Sequence, residues 1–208
     1  MGSGKRVVVI DYEMCNLDSV VRAVEECGGD SVVTREPKVL DQGTHLILPG
    51  VGAFADAMAN LRRLGLAAAL QEQVLEKRIP VLGVCLGMQL LARRGDEGGE
   101  TPGLALLPAE VRRLRSEVPG VRIPHVGWNE VHTVRPSRLL EGIQPGKDFY
   151  FVHSYHVVCD DPADSVATTP YADGFTSVVE HENVFGVQFH PEKSQQAGFR
   201  LLRNFLAV

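Results

Sequence analysis

The sequence predicts an α/β fold: a doubly wound, mostly parallel central sheet with helices on both faces and antiparallel strands at its edge. Three observations carry the prediction. In the first half, short runs of consecutive β-branched and apolar residues alternate with segments of helical period, the pattern of a sheet buried on both faces. In the second half, short strand-like runs separated by turn signals take over. The chain has 208 residues, 44% hydrophobic and 23% charged, which suits one globular domain over 1–208 and excludes a disordered chain.

The elements follow in order. Residues 6–11 (RVVVID) read as the first buried parallel strand. Asn16 is placed to cap a helix whose Leu17, Val20, Val21 and Val24 share one face, and Gly28-Gly29 stops it. Residues 31–34 and 44–48 give the second and third strands. An amphipathic helical stretch covers 53–77, with a break near Gly65. Residues 80–85 (PVLGVC) make the fourth strand, and a helix follows through 88–92. The glycine-rich stretch 96–103 reads as a loop. Strand-like runs then lie at 109–114, 125–132, 149–158, 165–169, 177–180 and 184–190, between turns such as Pro145-Gly146 and Asp173-Gly174. Residues 196–206 close the chain as an amphipathic helix.

Charge and composition exclude several functions. With 21 basic and 26 acidic residues the net charge is −5, against a nucleic-acid binder. No apolar run approaches the ~20 residues of a membrane span. The amino terminus lacks a signal-peptide layout, and Arg6 stands where a myristoylation motif needs Ser or Thr. Cys15, Cys27, Cys85 and Cys159 form no CxxC pair, and no HExxH occurs, so neither a metal nor another cofactor is expected. Reduced thiols suit a cytoplasmic protein.

The most informative stretch is Gly83-Val84-Cys85-Leu86-Gly87, between an apolar strand and a helix. A G-x-nucleophile-x-G pattern there describes a nucleophile elbow, in which small neighbours make room for a sharply turned residue. Cys85 then stands at a helix amino terminus, where unpaired N–H groups favour a thiolate, and the Leu86 N–H faces a developing oxyanion. The competing reading is a buried structural cysteine. The other three cysteines have no such setting.

A cysteine nucleophile needs a general base. His190 ends an alternating run and is followed by Pro191 and Glu192. In an extended segment Glu192 shares a face with His190 and can fix its tautomer. The competing reading is a strand-end histidine beside a solvated glutamate. His125 and His153 are placed to line a pocket; His45, His132, His156 and His181 read as surface or packing residues. The loop Pro49-Gly50-Val51-Gly52 follows the third strand, where a doubly wound fold binds ligands, and offers a second backbone N–H. It matches neither nucleotide-loop pattern.

Five segments together resemble the class I glutamine amidotransferases: PGVGAF from Pro49, GVCLGMQLL from Gly83, PHVGWNEV from Pro124, YFVHSY from Tyr150 and FGVQFHPEKS from Phe185. The cysteine elbow and HPE segment indicate the class. PHVGWNEV and HPEKS narrow the likeness to the glutaminase subunits of imidazole glycerol phosphate synthases, which serve histidine biosynthesis. The likeness runs nearly end to end and implies a flavodoxin-like fold and a Cys85–His190–Glu192 triad acting on L-glutamine through a glutamyl thioester. It implies an oxyanion hole from Val51, Gly52 and Leu86, and glutamine held by Gln89, Glu97, Ser154 and Tyr155. It also implies a heterodimer with a separate (β/α)₈-barrel cyclase that receives ammonia through an internal route, with Trp128, Asn129, Tyr150 and Lys193 near the interface. Two departures stand out. The family's Tyr-Gly-x-Gly-Asn-Leu is here Tyr12-Glu-Met-Cys-Asn-Leu17, without either glycine, which bears on docking and ammonia transfer. Ala92-Arg93-Arg94-Gly95-Asp96 before Glu97 is also unusual. The rivals are another class I amidotransferase, a γ-glutamyl hydrolase, or a non-catalytic module of the same fold.

Overall fold

The computed structural model describes residues 4–117 and 119–208. The reading of the first three residues therefore lies outside the described part. The chain opens with β1 (Lys5–Ile10), α1 (Leu17–Glu26), β2 (Gly29–Thr34) and β3 (His45–Leu48). Helices α2 (Phe54–Arg63) and α3 (Leu66–Gln71) lead to β4 (Val81–Val84) and α4 (Leu86–Leu90). Then come β5 (Arg94–Gly95), β6 (Thr101–Pro102), β7 (Ala109–Arg113), β8 (His125–Thr133), β9 (Lys147–His153), β10 (Tyr155–Cys159), β11 (Ser165–Thr169), β12 (Phe175–His181) and β13 (Val184–Val187), and α5 (Gln195–Leu206) ends the fold.

Nine strands form one sheet in the order β2-β1-β3-β4-β13-β12-β11-β8-β9. The first five run parallel, and the last four continue the sheet antiparallel. The parallel strands are apolar on both faces because both are covered. Val7 and Val9 of β1 pack with α1 and α5, whereas Val8 and Ile10 pack with α2, α3 and α4. The predicted doubly wound class is the one observed.

Several boundaries differ from the sequence reading, each for a local reason. The stretch 53–77 is two helices and a π turn, because Gly65 adopts φ +71 and restarts the chain. Asn16 holds the cap position of α1, but its side chain makes no capping hydrogen bond. The helix expected at 88–92 begins at Leu86, directly after Cys85. The loop at 96–103 includes half of a small hairpin, Arg94–Gly95 against Thr101–Pro102. This hairpin joins β7 and β10 in a second sheet of order β10-β7-β5-β6, which the sequence did not reveal.

Two corrections matter for function. The single run 149–158 divides at Ser154: His153 pairs with His125 in the large sheet, and Tyr155 pairs with Arg113 in the small one. Period-2 alternation reports a strand but not the sheet it joins. The run 184–190 leaves the ladder after Val187, so His190 does not end a strand. Its N–H instead donates to the Tyr150 carbonyl at 2.9 Å, and a 3₁₀ turn, Pro191–Lys193, follows.

Candidate active site

Cys85 sits between β4 and α4 with φ 55 and ψ −110, a conformation L-residues rarely adopt. Its neighbours explain how the turn is tolerated. A Cβ on Gly87 would lie 1.7 Å from the Leu48 carbonyl oxygen, and one on Gly83 would lie 2.7 Å from the Gly87 backbone. The Cys85 N–H donates to the Val187 carbonyl at 2.8 Å, pinning the elbow to β13. Leu86, first residue of α4, has no intrahelical acceptor for its N–H. The elbow is therefore built as the glycine spacing predicts.

His190 and Glu192 are both buried, and the imidazole Nδ1–H donates to Glu192 Oε1 at 2.8 Å. The predicted pairing exists, but the 3₁₀ turn makes it rather than an extended strand. Because a carboxylate only accepts, Nδ1 carries the proton and Nε2 is left for the nucleophile. Among the described residues, Nε2 has no hydrogen-bond partner. Burial disfavours the imidazolium, but the neighbouring Cys85 and the Glu192 carboxylate outweigh it and raise His190 to about 10.

A cavity of about 300 Å³ opens over the sulfur, lined by Val51, Gly52, Cys85, Leu86, Gln89, Glu97, Val152, His153, Ser154 and Tyr155. The sequence-derived oxyanion and glutamine-binding residues thus meet in one place, although His190 is not part of the lining. Ser154 and Tyr155 reach the cavity because the chain changes sheets there. Glu97 accepts from the Phe54 N–H at 2.8 Å, at the start of α2. The Val51 N–H is engaged elsewhere, donating to the Met14 carbonyl at 2.9 Å. A larger groove of about 640 Å³ contains Cys159, but burial pushes that thiol up to about 12, unsuited to a nucleophile. In half-buried Cys15, desolvation pushes the thiol up to about 11.

The segment lacking glycines keeps a tight backbone by other means. Glu13 takes φ 72, its N–H donates to Asp11 Oδ1 at 2.8 Å, and its carboxylate pairs with Arg35 and Arg63. Cys15 Sγ lies 3.7 Å from the Ile10 carbonyl oxygen and 3.6 Å from that of Pro49.

On the outer face of the β8–β9 pair, Trp128 sits opposite Tyr150 and Val126 opposite Val152. Trp128 is 48% and Val126 59% exposed, so Trp128 is not a core residue. Lys193 Nζ lies 5.8 Å from the Tyr150 ring centre. Asn129 points the other way, its amide against His125 Nε2 at 3.4 Å. His125 and His153 are buried and joined at 3.1 Å. Gln188, fully buried with its Nε2 3.8 Å from Cys85 Sγ, was not singled out from sequence. Its signal was available: it shares His190's parity in the VFGVQFH run, a polar residue among apolar ones. Among the described residues, no cluster of three or more His, Cys, Asp or Glu could hold a metal, and no helix is long and apolar enough to cross a membrane.

Comparison with known proteins adds to this geometry. A family model described as glutamine amidotransferase class-I matches residues 8–208. The imidazole glycerol phosphate synthase subunit HisH of Moorella thermoacetica is 49% identical over 199 residues, covering 96% of this chain and 93% of its own. The HisH subunit of Aquifex aeolicus is 47% identical over 201 residues, covering 96% and 95%. Among solved structures, PurLQS from Thermotoga maritima aligns with a TM-score of 0.75 at 19% identity, covering 98% of each chain. A crystal structure of a glutamine amidotransferase aligns at 0.72 with 21% identity, covering 97% of this chain and 99% of that one.

Proposed function

The chain belongs to the class I glutamine amidotransferases, and on that premise we propose that it is the glutaminase subunit of an imidazole glycerol phosphate synthase. One observation carries the reading: a cysteine on a strained elbow beneath a cavity suited to one amino acid, near a histidine that a buried glutamate orients.

The chemistry follows from the positions. Cys85 Sγ attacks the side-chain amide carbon of glutamine, and the carbonyl oxygen becomes an oxyanion facing the Leu86 N–H. His190 Nε2 delivers a proton to the nitrogen, the C–N bond breaks, and ammonia leaves a glutamyl thioester. Water then adds to the thioester, giving its proton to His190, and glutamate departs as the sulfur regains its charge. Gln89, Glu97, Ser154 and Tyr155 hold the amino-acid end.

The second oxyanion donor is the Val51 N–H. Its bond to the Met14 carbonyl supports a resting state in which that donor is turned away. Losing one such donor typically slows turnover by ~10²–10³. A partner that reorients the Val51 peptide therefore switches the enzyme on. The partner is a (β/α)₈-barrel cyclase, which receives the ammonia and makes imidazole glycerol phosphate and aminoimidazole carboxamide ribotide. The stripe of exposed Val126, Trp128 and Val152 with half-buried Tyr150, beside Lys193, is the docking face we assign to it. Free thiols suit a cytoplasmic setting.

The test is ammonia release from glutamine with and without the cyclase and its nucleotide substrate. Strong activation by the pair is expected. Equal turnover in both conditions defeats the switch, and none in either defeats the glutaminase reading.

A further inference from the structure

A chain of hydrogen bonds runs through the floor of the cavity, and its direction is fixed by one carbonyl. The Tyr155 carbonyl oxygen lies 2.8 Å from His153 Nδ1 and 2.9 Å from Gln89 Nε2. A carbonyl only accepts, so both nitrogens donate to it. With Nδ1 protonated, a neutral His153 accepts at Nε2, and its partner at 3.1 Å, His125 Nδ1, is the donor. His125 Nε2 then accepts from Asn129 Nδ2 at 3.4 Å. Burial holds His153 at about 3 and His125 at about 4, so both rings are neutral near pH 7 and the chain keeps one polarity.

The same logic runs the other way. Gln89 turns its NH₂ to Tyr155, and its second N–H meets Gln188 Oε1 at 3.1 Å. Gln188 must therefore accept there, which leaves its own NH₂ pointing at Cys85 Sγ, 3.8 Å away. The reversed amide would set two donors face to face. Gln188 is fully buried, and its backbone N–H is bound to the Ser177 carbonyl at 2.9 Å.

We propose that Gln188 is a further catalytic residue, donating to the Cys85 thiolate with its amide held in the donating sense by Gln89, which the Tyr155 carbonyl fixes in turn. This deepens the glutaminase reading, because a donor at the sulfur favours the charged nucleophile over the thiol. It also gives Gln89 a defined face: its amide nitrogen is spent within the protein, so it offers substrate an acceptor oxygen.

The test follows the rate of Cys85 carboxamidomethylation by iodoacetamide against pH, resolved by peptide mass spectrometry on the full chain. Gln188→Met keeps the side-chain length and removes the donor. The other titratable groups around the sulfur, His190 and Tyr12 beside it and His153 and Glu97 across the cavity, remain in place. The expected result is a midpoint about one pH unit higher and roughly tenfold slower alkylation below it. Gln188→Glu should move the midpoint up further. Parent-like profiles in both variants overturn the proposal. Parent protein labelled with ¹⁵N-glutamine gives a reading independent of how the variants fold. One buried side-chain amide should titrate with the midpoint of Cys85 alkylation, and a titration in which no glutamine amide follows overturns the proposal. Iodoacetamide reports the thiolate alone. A parent protein that shows the shift but releases no ammonia refutes the glutaminase reading and leaves this inference standing.

Discussion

Replacing Glu192 with glutamine removes the charge that faces His190 Nδ1 at 2.8 Å while keeping its shape. Burial alone would lower the histidine, and coupling to Cys85 and Glu192 raises it from 6.5 to about 10. A folded-state value raised above the unfolded one stabilises the fold fully below pH 6.5, and that stability is lost as pH climbs through 10. The full span corresponds to about 5 kcal/mol at most, shared between the two partners. Glu192→Gln should therefore lower stability most near pH 6, and flatten its decline between pH 6.5 and 10. Turnover should fall further than stability, because a neutral amide no longer enforces the Nδ1–H tautomer. Losing the orienting carboxylate of a triad costs up to ~10⁴ in rate. Urea unfolding across pH 6–10, beside ammonia release in the cyclase complex, reads both effects. Parallel stability curves for parent and variant, or turnover within tenfold of the parent, would refute the account of His190.

Further predictions address other parts of the molecule. Cys85→Ala should abolish ammonia release and leave cyclase binding unchanged; near-normal glutamine-driven synthesis in the complex contradicts it. Gly87→Ala forces a Cβ to within 1.7 Å of the Leu48 carbonyl oxygen, so a loss of about 3 kcal/mol is expected, visible as a drop of roughly 6–12 °C in Tm. Trp128→Ala should weaken cyclase binding by ~30-fold with no change in Tm, as titration calorimetry on the purified pair would show. Glu13→Gly relieves a left-handed backbone costing ~1 kcal/mol and removes exposed ion pairs worth ~0–1 kcal/mol. Its Tm should stay within a few degrees of the parent, and a large fall would mean that Arg35 and Arg63 matter more than their exposure suggests.

The parallel half of the fold was legible because burial on both faces leaves uninterrupted apolar runs, as in residues 7–10 and 46–48. The elbow was legible because its sterics demand small residues at fixed spacing around Cys85. The second sheet was not. Two-residue strands such as Arg94–Gly95 carry no period, and the run through Ser154 alternates without marking where it changes partners. Of the triad, the pairing of His190 with Glu192 was anticipated, but through an extended geometry that Pro191 replaces with a turn. Gln188 escaped because its role depends on the amide of Gln89, 99 residues away along the chain, a relation no local pattern encodes.

The transfer of the backbone between two sheets at residue 154 has a mechanical consequence. The peptide is clamped on one side by a ladder carrying the exposed aromatic face, and on the other by a ladder carrying the floor of the cavity. Ser154, between them, is itself held, its carbonyl accepting from the Leu114 N–H at 2.8 Å. The joint therefore ties the outer aromatic ladder to the cavity wall through continuous hydrogen-bonded backbone.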